Sequence, residues 1–112
     1  MALTPTRLID GAQIANSTTT YYTATNVRAR IDSLTLTNTT AAAVTVTIYL
    51  VPGAGVAGSA NTVLSSYSVA AGQTYLVPGV IGQWLEESGT IQASASAASA
   101  VSIVASGIEW TG

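Results

Sequence analysis

The chain contains no cysteine and no histidine, and arginine is its only basic residue type. Without cysteine it can form neither disulfides nor thiolate metal sites, and redox chemistry gives no clue to its compartment. The usual nucleophile and base pairings of hydrolases are missing, as are most zinc sites. Arg7, Arg28 and Arg30 stand against five carboxylates, for a net charge of −2. Binding to nucleic acid rests on neutralising phosphates with Lys and Arg, so no nucleic-acid partner is expected. Charge of either sign is scarce: 7% of residues are charged and 48% are apolar, where about 25% charged is usual for a soluble domain. Such a surface is poorly defended against association. Long apolar runs are absent too. None approaches the ~18 to 20 residues of a membrane-spanning helix, so no membrane partner is expected. The start, MALTPTRLID, has neither the basic beginning nor the apolar stretch of a secretory signal, so the chain is expected to act, or be assembled, where it is made.

What is present is period-2 alternation rich in β-branched residues and punctuated by Gly, Pro, Asn and Ala/Ser turns. A length of 112 residues suits one domain. The pattern predicts an N-terminal arm over residues 1–10, followed by a single β-sandwich domain over residues 11–112. Thr18 to Thr25 reads as the first long strand, and Asn26 turns the chain. In the next strand, Arg28 to Asn38, plain alternation puts Arg28, Arg30 and Asp32 on the same face as Leu34 and Leu36. Either the strand enters the core near Ser33 with its charged end on the rim, or a bulge around Ile31 to Ser33 changes the facing. VTVTIYLVP is the cleanest strand, with Val44, Val46, Ile48 and Leu50 pointing one way and Pro52 ending it. The loop GAGVAGSAN follows, then a strand from Thr62 to Val69 with Val63, Tyr67 and Val69 on one face. AAGQ makes a tight hairpin-like link to TYLVP. The spacing of Ile81, Trp84 and Leu85 predicts one short helical turn over Ile81–Leu85, with Trp84 plugging an open end of the core. The tract QASASAASAVSIVASG alternates, so it reads as a β-hairpin with a turn at Ala97 to Ser99, not as a linker. About seven to eight short strands at this spacing predict an all-β fold, an antiparallel β-sandwich or jelly-roll-like barrel.

Residues able to carry chemistry are few. Glu86 and Glu87 adjoin and diverge on any regular backbone, which suits a solvated cap better than a glycosidase acid/base pair. Gly53, Gly55 and Gly58 are spaced like a sparse glycine loop, but no Lys-Ser/Thr follows and no helix can begin there, so the stretch reads as a mobile loop. No EF-hand-like loop is present, and no metal or other cofactor is expected. Arg28, Arg30 and Asp32 either form an intrachain ion pair on the rim or recognise a carboxylate on a neighbouring subunit. Tyr21, Tyr22, Trp84 and Trp110 either anchor core and interfaces or form the platform of a carbohydrate-binding module. Trp110, near the chain end, is a candidate for packing on another chain. Ala93 and Ala95 make a small-residue strand face that admits close approach, within the sandwich or across a subunit boundary. Arg7, the only base of the arm, is a candidate contact to a neighbouring protein.

The segments TPTRLIDGAQI, YYTA, RARIDSLTLTNTTAAAVTVTIYLVP, ANTVLSSYSVAAGQTY and VASGIEW together resemble a family of small virion proteins of tailed bacteriophages. The resemblance spans nearly the whole chain and is strongest from Arg28 to Pro52. It implies a β-sandwich module, commonly a homotrimer, without catalytic residues and located in the virion after assembly in the bacterial cytoplasm. Within that group the expected role is capsid decoration or cement, binding the major capsid protein. The alternative is a neck, tail or fibre component bound to other virion proteins.

Overall fold

The structure, a computed structural model, describes residues 2–53 and 55–111. Met1, Ala54 and Gly112, which belong to the expected arm, the Gly/Ala loop and the domain end, lie outside the described residues. Among the described residues the chain forms nine strands: β1 (Ala2–Gln13), β2 (Thr19–Thr23), β3 (Arg28–Asn38), β4 (Val44–Val51), β5 (Thr62–Val69), β6 (Thr74–Leu76), β7 (Trp84–Leu85), β8 (Thr90–Ala95) and β9 (Val101–Thr111).

Four antiparallel ladders, β1 with β9, β2 with β8, β3 with β6 and β4 with β5, make the chain one long folded-back ribbon. Two more ladders, β3 with β9 and β4 with β8, roll that ribbon into two facing sheets. Sheet 1 has the order β1-β9-β3-β6, with β7 also pairing β3, and sheet 2 has the order β2-β8-β4-β5. This is jelly-roll connectivity. The connections between β5 and β6 and between β8 and β9 therefore cross from one sheet to the other, where tight hairpins were expected. Alternation reveals a strand, but not which neighbour it pairs with.

The core lies between the sheets. Ile31, Leu34, Leu36 and Ile103 of sheet 1 face Ile48 and Ile91 of sheet 2, and all six are fully buried. Burying each such side chain contributes about 1.5 to 3 kcal/mol. Ala93 and Ala95 belong to this core. They sit beside Ile48 and Val46 of β4, so small residues on one strand adjoin branched residues on the next. Asn38 is the one buried polar residue among those described. Its amide donates to the carbonyls of Val69 (2.9 Å) and Ala42 (2.7 Å), and its side-chain oxygen accepts from the Thr40 N–H and hydroxyl. One side chain thereby ties β3 of sheet 1 to the end of β5 in sheet 2.

Several expectations change. The arm over residues 1–10 is, from Ala2 onward, the first part of edge strand β1, because the long β9 offers it a partner throughout and Leu8 and Ile9 drop into the core. Pro5 is tolerated there because edge strands accept proline. The helical turn at Ile81–Leu85 is not formed. A single 3-10 turn covers Pro78–Val80 instead, and Trp84–Leu85 pair with Arg30 and Ala29 of β3. Leu85 is the residue that enters the core, while Trp84 is 50% exposed. The first long strand is shorter than expected, Thr19–Thr23. In β5 a register shift near Ser66 (φ 46°) sets Leu64 opposite Ile48 and Tyr67 opposite Val46, so Leu64 joins Val63 and Tyr67 against the core.

In β3 the alternative with a bulge is the one observed. The ladder with β9 shifts between Ile31 and Ser33, leaving Asp32 as the extra residue. Arg28 and Arg30 consequently face outward while Ala29, Ile31, Leu34 and Leu36 face inward. Gly107 lies opposite Ile31 at this bulge, and a Cβ on it would run into the backbone carbonyl oxygen of Arg30. Neither backbone can move without breaking the central ladder. Gly107→Ala is therefore expected to lower stability by about 3 kcal/mol in urea denaturation. A loss below about 0.5 kcal/mol, the usual range for an unconstrained surface change, would contradict the close approach.

Candidate interaction surface

Charge in this protein follows the sheets. Arg7, Asp10, Arg28, Arg30, Asp32 and Glu109 lie on sheet 1, and Glu86 and Glu87 lie in the turn just after β7. Sheet 2 has no charged residue on any of its strands, and its outer face is lined by Thr20, Thr45, Thr47, Tyr49, Gln92 and Ser94. Among the described residues no three carboxylates gather in one place. Asp32, Glu86 and Glu109 are each engaged with a partner from this same chain.

The strand registers build a patch at the end of sheet 1 where β1 begins and β9 ends. Across one row run Trp84 of β7, Arg30 of β3, Ile108 of β9 and Pro5 of β1; in the next, Arg28, Trp110 and Leu3. Alternate residues on a strand share a face, so these side chains all project outward. Trp84 and Trp110 meet with ring centroids 4.5 Å apart at a 32° tilt, and the Arg30 guanidinium sits 5.6 Å from the Trp110 ring centre. Such aromatic and cation–π contacts contribute about 0.5 to 1.5 kcal/mol each. Arg30 also holds Asp32 at 2.9 Å, and Arg28 holds Glu86 at 2.7 Å. The second pair is 63% and 68% exposed, and pairs so open contribute at most about 1 kcal/mol to folding. They orient side chains more than they stabilise the fold. Leu3, Leu76, Ile81 and Trp84, four of the five large apolar residues left exposed among those described, belong to the strands of sheet 1 or its β6–β7 edge.

The structure thus brings together Arg28, Arg30, Asp32 and Trp110 of the sequence candidates. Arg7 shares the same outer face farther along β1, opposite Ser106, and its Nη1 donates to the Asp10 carbonyl at 3.3 Å. Ala93 and Ala95 are not with them: both are core residues, so the close approach they permit is between the two sheets. Sequence reasoning missed Leu3, Pro5 and Ile108 as surface partners, and it offered Trp84 both as a core plug and as an interface or platform aromatic. Pairing of the two-residue β7 with β3 is what turns Trp84 outward, and no periodicity is legible in two residues.

Tyr21 and Tyr22 serve the interior more than the surface. The Tyr21 hydroxyl accepts from the Ala15 N–H at 2.8 Å. The Tyr22 hydroxyl donates to Glu109 Oε2 at 2.5 Å, linking β2 of sheet 2 to β9 of sheet 1. Burial, and then the hydrogen bond to Glu109 and its negative charge, hold this phenol well above its ordinary range.

No family model matches the chain, and no curated protein matches it. Among solved structures, it is similar to a protein of Bacillus endospore appendages, described as forming a novel family of disulfide-linked pili. The identity is 17%, the TM-score is 0.58, and the match covers 97% of this chain and 88% of that one. A weaker likeness is to a chain of infectious bursal disease virus, Gx strain, with 20% identity and a TM-score of 0.49 over 99% of this chain and 32% of that one. The first likeness establishes a shared fold.

Folding raises the Tyr22 pKa, so the folded chain keeps the phenolic proton at pH values where the unfolded chain loses it. The stability this contributes is complete below the ordinary phenol pKa of about 10 and is lost as pH rises from there towards the folded value, because over that window only the unfolded chain gains by ionising. Its worth at neutral pH is the hydrogen bond itself, so Tyr22→Phe is expected to cost about 1 kcal/mol there. In urea denaturation followed from pH 7 to 11, the variant's stability is expected to change with pH differently from the wild type's above about pH 10. A variant whose alkaline profile parallels that of the wild type would contradict this assignment.

Proposed function

We propose that this protein is a non-enzymatic structural module that works in an assembly of many copies, as a virion protein of a tailed bacteriophage. Its specific role is capsid decoration or cement: it binds the major capsid protein and stabilises the shell. The observation that carries this reading is the segregation of charge and most exposed apolar side chains onto sheet 1 and its β7 turn, opposite a charge-free sheet 2. A domain with one amphipathic face and one neutral face has a directional surface suited to packing between neighbours. The family resemblance over Arg28 to Pro52 supports the same role. A fold shared with a subunit of disulfide-linked pili is compatible with assembly, although this cysteine-free chain must assemble without disulfides.

The test is to mix the purified protein with shells built from the major capsid protein of the phage that encodes it. Co-sedimentation with the shells and a rise in their rupture temperature are expected. A chain that stays in the supernatant and leaves the rupture temperature unchanged overturns the decoration reading.

A further inference from the structure

The patch on sheet 1 carries both signs of charge around an apolar centre. Read across its last row, the order is Glu86, Arg28, Trp110 and Leu3, from carboxylate through guanidinium and aromatic ring to aliphatic tip. Arg30 and Asp32 repeat the base–acid pairing beside it. Two bases and two acids cancel, so the patch offers no net attraction to a polyanion or a polycation. Its partner must present an apolar centre and opposite charges at matching places. The patch itself has this chemistry, whereas the outer face of sheet 2 has no charge to offer. Two tryptophans in tilted contact beside two charged pairs also have the anatomy of an interface centre, where aromatic and Arg side chains carry most of the binding energy.

We infer that a second copy of this chain seats on this patch, the two copies related by a two-fold axis that packs Trp84 and Trp110 against their counterparts and pairs Arg28 of each copy with Glu86 of the other. The inference rests on the reading of this protein as an assembly module, and it names the face used. Acid and base lie side by side on the same border of the patch, so turning one copy by a half-rotation brings Arg28 over Glu86 at two symmetric places. Such a self-complementary contact closes a pair. It builds a dimer, and the homotrimer implied by the family resemblance would need a different contact. The 2.7 Å pair within one chain leaves both side chains well exposed, so that each can be reached by a second copy.

The experiment is sedimentation equilibrium of the wild-type chain, of Arg28→Glu, of Glu86→Arg and of an equimolar mixture of the two variants. Thermal unfolding checks that each remains folded. Each variant alone sets like charges against each other in the pair and is expected to weaken dimerisation about tenfold or more. The mixture is expected to restore wild-type affinity, because the charge reversed at position 28 in one variant then meets the charge reversed at position 86 in the other across the interface. A role confined to one chain would not produce that rescue. Single variants that dimerise like the wild type, a mixture no tighter than its components, or a wild-type chain that is monomeric or trimeric throughout would each overturn the inference. A trimer that still binds phage shells would overturn this face while leaving the proposed function standing.

Discussion

The backbone carbonyl of Arg30 lies so close to Gly107 that β9 has no room there for a side chain, and beside this approach β3 carries one residue more than its partner. Had β3 alternated without that extra residue, Arg28 and Arg30 would share a face with Leu34 and Leu36. Two guanidinium groups would then point into an interior where the carboxylate of Glu109 is already bound to Tyr22, at a cost of several kcal/mol each. With Asp32 bulged out, the same stretch sends its leucines inward and its arginines outward. The composition of both faces of sheet 1 follows from this register.

The rest of the sandwich is organised around keeping polar groups satisfied where the sheets meet. Asn38 spans from sheet 1 to the end of β5 with all of its side-chain hydrogen-bonding atoms engaged. Tyr22 and Glu109 join the sheets at the end where β1 begins and β9 ends. Between these ties the interior is aliphatic, with alanines on β8 beside branched residues on β4. Sheet 2 can therefore do without charge entirely, and Arg28, Arg30, Asp32 and Glu86 are gathered where Trp84 and Trp110 lie.

Much of this was legible in the sequence, and the illegible parts share a cause. VTVTIYL could be only a strand, and the alternation in QASASA marked β8 as structure where composition alone suggested slack. The conflict in RARIDSLTL was visible too, and the bulge that resolves it was one of the two arrangements the sequence left open. Pairing was not visible. A crossing and a hairpin use the same turn residues, so the partners of β6 and β9 could not be read from AAGQ or AASA. β1 looked like an arm because Thr, Pro and Asp suit a loose segment, and only the long β9 beside it makes it a strand. Trp84 looked like a core plug because its spacing from Ile81 and Leu85 suits a helical turn, and the two-residue ladder with Arg30 and Ala29 leaves no periodic trace.

Register, charge placement and surface chemistry thus form one chain of causes: a bulge made possible by Gly107 turns two arginines outward, where they frame two tryptophans in a patch suited to another copy. Trp84 and Trp110 are the only tryptophans in the protein, so its tryptophan fluorescence reports on that patch alone. The most direct measurement is tryptophan emission and its quenching by iodide, followed against protein concentration alongside the mass in solution. Emission is expected to shift to shorter wavelength, and quenching to fall, as the mass rises from monomer to dimer. Tryptophans that stay equally quenchable after the mass has doubled would contradict this chain of causes at its last step.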